Sequence, residues 1–120
     1  MNPQQPRAIV VDDDEDIRKI VCRMLPLSGL EVVAELSSGE EAVDWMIDHD
    51  AAIVVMDIQM AGMGGTEATR RIKETKPETV IFGFTGWGTE EVAAMLEAGA
   101  VAVFDKTKLH ELMRAIEEVI

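Results

Sequence analysis

Residues 51–56, AAIVVM, form an apolar run that stops at Asp57. Ile53, Val54 and Val55 are β-branched, and a short run of this kind suits a strand buried on both faces of a parallel sheet. After Asp57 the chain loosens into Gly62, Gly64 and Gly65. An apolar strand that ends in an acid and a glycine-rich loop sets the acid at the carboxyl edge of a sheet. Open α/β proteins keep their sites at that edge. A carboxylate there can also serve the loop alone, by accepting nearby backbone N–H groups. The remaining segments weigh one use against the other.

The same alternation recurs along the chain. Residues 1–6 are a polar lead-in, disordered or extended, and residues 7–120 form one domain. Apolar strands are expected at 8–11, 31–36, 51–56, 79–84 and 100–104. Each is followed by helical periodicity. Ile17, Ile20, Val21, Met24 and Leu25 mark the first helix, at steps of three and four. Pro26 ends or kinks it. Ser38 is an N-cap with Glu41 three residues on, as in a capping box. Ala42, Val43, Met46 and Ile47 face inward on the second helix. Ala68 and Ile72 do so on the third (66–76), and Val92 and Leu96 on the fourth (89–98). Leu109, Leu112, Met113, Ile116, Val119 and Ile120 mark the last. Five strand–helix repeats imply a parallel sheet covered on both faces, with right-handed crossovers.

Composition narrows the function. The chain has 120 residues, 48% of them apolar, enough for one domain with a real core. Its 23 acids against 11 bases leave a formal charge of −12. That repels nucleic-acid phosphates and anionic membranes, so neither is an expected direct partner. The single Cys22 makes no internal disulfide. No signal peptide or membrane span is evident, and a cytoplasmic protein is expected.

The strand ends then fall into a pattern. The first delivers Asp12 and Asp13, the third Asp57, the fourth Thr85 and the fifth Lys106. In a parallel sheet these ends share one edge. Unit charges ~4 Å apart repel by about 4 kcal/mol at an effective dielectric of 20. Three ionised carboxylates in one pocket therefore call for a cation or a proton. An oxygen-rich set without His or Cys ligands suits Mg2+. A carboxylate can act as a nucleophile toward phosphorus, and phosphoryl transfer then needs mainly alignment and cations. Asp57 stands alone at the middle strand and is the best nucleophile candidate. Asp12 and Asp13 pair as metal holders.

From Arg7 to Ile120 the chain resembles the response-regulator receiver domains, the CheY-like family. The resemblance is carried by VVDD at 10–13, VVMDIQM at 54–60, FTG at 84–86 and DK at 105–106. It implies a flavodoxin-like (βα)5 three-layer sandwich with strand order 2-1-3-4-5. It further implies Asp57 as phosphoacceptor, Asp13 as a direct Mg2+ ligand, Asp12 acting through water, and the Gln59 backbone carbonyl completing the metal site. Thr85 and Lys106 would contact the phosphoryl group, with Gly86 leaving room for it. The donor would be a phosphohistidine on a histidine kinase or phosphotransfer protein. Phosphorylation would repack the face of helix 4, strand 5 and helix 5, changing an effector contact or forming a homodimer.

Four positions depart from the family pattern. Ala61 replaces a usual Pro, Gly86 a common Ala, and Thr107 a Pro that often follows a cis bond. Val103 stands where many members carry the aromatic whose rotamer follows the Thr. Trp87, two residues beyond Thr85, either overhangs the site mouth or packs. Asp14, Glu15 and Asp16 read as first-turn helix charges, Cys22 as an unreactive thiol, Trp45 as a partly buried surface aromatic, and His49 and His110 as solvated. A degenerate receiver used only for docking is the alternative; Val103 and Thr107 lean toward it and the intact site against it. A flavodoxin-like cofactor protein would need a hydroxyl-rich and glycine-rich phosphate cradle after the first strand. A small phosphatase of the haloacid-dehalogenase type would need a second Asp two residues after Asp57. The sequence has neither.

Overall fold

The computed structural model describes residues 5–86 and 90–120. Five strands, β1 (Arg7–Val11), β2 (Glu31–Leu36), β3 (Ile53–Met56), β4 (Val80–Thr85) and β5 (Ala102–Asp105), alternate with five helices. These are α1 (Glu15–Met24), α2 (Gly39–Asp48), α3 (Gly65–Thr75), α4 (Glu90–Ala98) and α5 (Leu109–Val119). All strands pair in parallel, in the order β2-β1-β3-β4-β5. This is the flavodoxin-like architecture that the alternation and the resemblance implied.

Strand residues alternate between two cores, as period-2 geometry requires. Ala8, Val10, Ile53, Val55, Phe82 and Phe84 join Val21, Leu25, Leu112 and Ile116 beneath α1 and α5. Ile9, Val11, Val54, Met56 and Ile81 join Ala42, Met46, Ala68, Ile72 and Met95 beneath α2, α3 and α4. The sheet is thus the middle of three layers. Every residue of β3 is buried, which explains its unbroken apolar run.

Five apolar residues that mark helix faces in the sequence are surface residues, Val119 and Ile120 at the end of α5 among them. Ile20 is 51% exposed, Ile47 69% and Leu96 44%. Ile20 and Ile47 lie at the rim of their helical stripes, where Val21 and Met46 take the buried position instead. In α4 the phase is one residue off. Met95 is fully buried, because its Sδ receives the hydroxyls of Thr66 and Thr69 at 3.9 and 3.6 Å and its chain packs at Gly83. Val92 is half-buried.

The helix starts follow local chemistry. α1 stops at Met24, and Pro26 sits in the first turn of the 3-10 segment Leu25–Ser28. Asp14 caps α1 by accepting from Asp16 N and Ile17 N at 3.0 and 3.2 Å, so these acids are helix-start charges. Ser38 Oγ accepts from Glu41 N at 3.1 Å. The reciprocal bond expected at Ser38 N falls one residue earlier: Glu41 Oε1 accepts from Ser37 N at 2.8 Å. Ser38→Ala should cost about 1 kcal/mol of stability in a urea titration.

Trp45 is half-buried and stacks on exposed His49, ring centroids 4.5 Å apart. His110 is also exposed. Cys22 is half-buried, and burial first, then the Glu35 charge, pushes its thiol up to about 11. It is protonated at neutral pH, which suits an unreactive role. Among the described residues, no helix is long and apolar enough to cross a membrane.

Candidate functional site

The sheet's ladder of hydrogen bonds runs one residue past the strands, and that residue is where the acids begin. Asp12 N donates to Leu36 O at 3.0 Å, and Asp57 N to Val11 O at 2.9 Å. On the other half of the sheet, Lys106 N donates to Thr85 O at 2.9 Å. Backbone pairing therefore holds Asp12, Asp57, Thr85 and Lys106 along one rim. Asp12, Asp57 and Thr85 are buried there, while Asp13 is exposed.

The side chains converge. Carboxylate oxygens of Asp12, Asp13 and Asp57 all lie within 4.8 Å of one another. Lys106 Nζ reaches in from β5, 2.9 Å from Asp12 Oδ2 and 3.4 Å from Asp57 Oδ2. Asp12 Oδ1 also accepts from Asp14 N at 2.9 Å. Burial, followed by the Asp12 charge, pushes the Asp57 carboxyl up to about 7 against the opposing pull of Lys106. For Lys106, burial favours losing the proton. Its bond to Asp12 and the charges of Asp57 and Asp12 outweigh this, and its pKa stands above the ordinary lysine value.

Three carboxylates facing one ammonium leave an excess of negative charge. The donors are oxygen only, with no His or Cys among them. A hard divalent cation fits this set, as Mg2+ does in oxygen-rich sites that leave positions for water and phosphate.

The flanking residues complete the picture. Gly86 is exposed, and a Cβ placed on it would stand 4.0 Å from Lys106 Cδ, so the space above the lysine stem is open. Gln59 is exposed, and its amide Nε2 donates to Glu91 Oε1 on α4. Val103 pairs with Gly83 across β4 and β5. Its methyl groups lean over that glycine, only 3.0 and 3.2 Å from where a Cβ would sit. The bond between Lys106 and Thr107 is trans, since no described peptide bond is cis. Thr107 N and Oγ1 both donate to Asp105 Oδ1, at 2.8 and 2.7 Å. Trp87 lies outside the described residues.

Arg18 escaped the sequence reading. Its Nη1 donates to Asp12 O at 2.9 Å and its Nε to Glu35 Oε1 at 3.3 Å. It thereby ties α1, the acidic loop and β2 together. An arginine two residues past an acidic run carries no local mark of that reach.

A family model for the response regulator receiver domain matches residues 8–117. The chain is 37% identical over 102 residues to the protein-glutamate methylesterase/protein-glutamine glutaminase of Haloarcula marismortui, a match covering 83% of this chain. It is 34% identical over 116 residues to the response regulator GacA of Pseudomonas protegens, covering 94% of this chain. These matches span 28% and 54%, respectively, of the two relatives' own lengths. The crystal structure of the receiver domain of the histidine kinase CKI1 from Arabidopsis thaliana, complexed with Mg2+, superimposes with a TM-score of 0.83 at 30% identity. That likeness covers 96% of this chain and 92% of the other. With the family match running from β1 into α5, the chain belongs to the response regulator receiver domain family.

Proposed function

We propose that this domain accepts a phosphoryl group on Asp57 and works as a phosphorylation switch. The observation that supports this best is the meeting of Asp57 with two further acids and the Lys106 ammonium at one sheet edge. An Asp57 carboxylate oxygen attacks phosphorus of a phosphohistidine on a histidine kinase or phosphotransfer protein. The P–O bond forms as the P–N bond breaks, and the leaving imidazole keeps the electron pair and takes up a proton. Asp13 directly, Asp12 through water, Asp57 and the Gln59 backbone carbonyl would hold Mg2+. Bound there, the ion supplies positive charge to the phosphoryl oxygens and offsets the acids.

The remaining work belongs to the protein. Lys106, already protonated, pairs with a phosphoryl oxygen, and the Thr85 hydroxyl donates to another. Gly86 leaves the space through which the group enters. The pull on Thr85 and Lys106 acts at the ends of β4 and β5, and so on the face of α4, β5 and α5. With Val103 seated against Gly83, the movement passes without a large aromatic ring. That face then exchanges an effector partner or forms a homodimer. Driving such a switch from 1:99 to 99:1 takes about 5.5 kcal/mol of differential interaction. The chemistry is limited to gain and loss of phosphate at Asp57 in a cytoplasmic signalling protein; direct contact with nucleic acid or membrane has no part in it.

The test is incubation with Mg2+ and acetyl phosphate, read by intact mass. Wild type is expected to gain one phosphoryl group and to gain none in excess chelator. Asp57→Asn is expected to gain none under either condition. An unlabelled wild type, or equal labelling of Asp57→Asn, overturns the proposal and favours a domain that docks without phosphorylation.

A further inference from the structure

We infer that Glu40 is a positioning residue for the loop that follows Asp57, fixing residues 58–64 in the arrangement a cation site needs. The inference rests on Asp57 being a Mg2+-dependent phosphoacceptor whose metal site includes the Gln59 carbonyl. Glu40 lies in the first turn of α2, far in sequence from that loop. Its Oε2 nonetheless accepts from Met63 N at 2.9 Å.

Two close approaches make this contact a built one. Gly62 passes directly under the Glu40 carboxylate, where a Cβ would stand 2.6 Å from Oε2. Its φ of +73° belongs to the left-handed region that glycine tolerates. Beside it, Gly39 meets the loop backbone to backbone, with room for no Cβ: Met63 O would be 2.4 Å away. At the far end, Gly65 N donates to Ile58 O at 2.8 Å and closes the loop. The bond from Met63 N also lowers the Glu40 carboxyl pKa below its ordinary value, so the anchor is an anion at neutral pH.

The need for an anchor follows from the sequence. Ala61 leaves its φ free, where a proline would fix it. A loop with two glycines and an alanine loses much backbone freedom when it must present one carbonyl to a metal. Glu40 imposes that order before the ion arrives. It touches no ligand itself and acts through the backbone, as residues that orient metal ligands do.

Mg2+ titration calorimetry on wild type, Glu40→Ala and Glu40→Gln tests this, alongside acetyl phosphate labelling at graded Mg2+. Glu40→Ala is expected to weaken Mg2+ binding about tenfold. Half-maximal labelling should move to higher Mg2+ in parallel, while the rate at saturating Mg2+ stays within about twofold of wild type. Glu40→Gln keeps an oxygen acceptor and should fall between. A purely structural role would lower the melting temperature and leave Mg2+ affinity alone. Unchanged Mg2+ affinity in both variants, or a lower saturating rate without an affinity change, overturns the inference. If wild type binds Mg2+ but takes no label, the phosphoacceptor reading fails while the calorimetry still decides the role of Glu40.

Discussion

Asp57→Asn is expected to be more stable than wild type in chelator at pH 8, by about 2 kcal/mol, and to lose that advantage by pH 5. The reason is the carboxyl pushed up to about 7 from an ordinary value of 3.8. Between those two values the folded chain holds a proton that the unfolded chain has released. Stability therefore falls as pH rises through this window, and the full cost is present above the folded value. About three units at 1.36 kcal/mol each set a ceiling near 4 kcal/mol. The pull of Lys106 is already contained in that value, and the expected gain is about half the ceiling because relaxation and water entering the rim around an ionised Asp57 relieve part of the burial cost. Thermal melts at pH 5, 6, 7 and 8 in excess chelator read the effect directly. Added Mg2+ should stabilise wild type at pH 8 and leave Asp57→Asn nearly unmoved. A wild-type melting temperature flat from pH 5 to 8, or an Asp57→Asn variant less stable at pH 8, contradicts the electrostatic account.

The second large effect is steric. Gly65→Ala is expected to cost about 3 kcal/mol, the upper range for overpacking. A Cβ on Gly65 would stand 1.9 Å from Asp57 O and 2.9 Å from Asp57 C. Both atoms are backbone, so no rotamer change relieves the clash. Either α3 slides away from β3, or the peptide that carries the Asp57 side chain tilts. Mg2+ affinity should therefore fall together with the melting temperature. Chemical denaturation and Mg2+ calorimetry on the same preparation would show both losses. A variant with wild-type stability would mean that the two backbones are not in contact.

The sequence disclosed the fold because its signals were local and repeated. Val10, Val11, Val54 and Val55 announce buried strands on their own, and five strand–helix alternations leave few topologies. The rim residues were legible for the same reason: each follows directly on an apolar run, so parallel pairing alone aligns Asp12, Asp57, Thr85 and Lys106. What stayed hidden depends on partners distant in the chain. Whether Met95 or Leu96 turns inward is decided by Thr69 and Gly83, not by spacing within α4. Glu40 looks like any first-turn acid until Met63 N appears beside it. Gln59 and Glu91 meet across 32 positions of sequence, with nothing in either neighbourhood to pair them.

The ion pair between Asp12 and Lys106 joins a residue from the start of the chain to one near its end. A ribosome releases those two residues far apart in time. Until β5 has been made and laid against β4, the acids at the rim lack their ammonium, and the pocket is half a machine. On the proposed function, competence to take phosphate would wait for β5, and a nascent or clipped chain that lacks this strand is expected to stay silent to a phosphoryl donor.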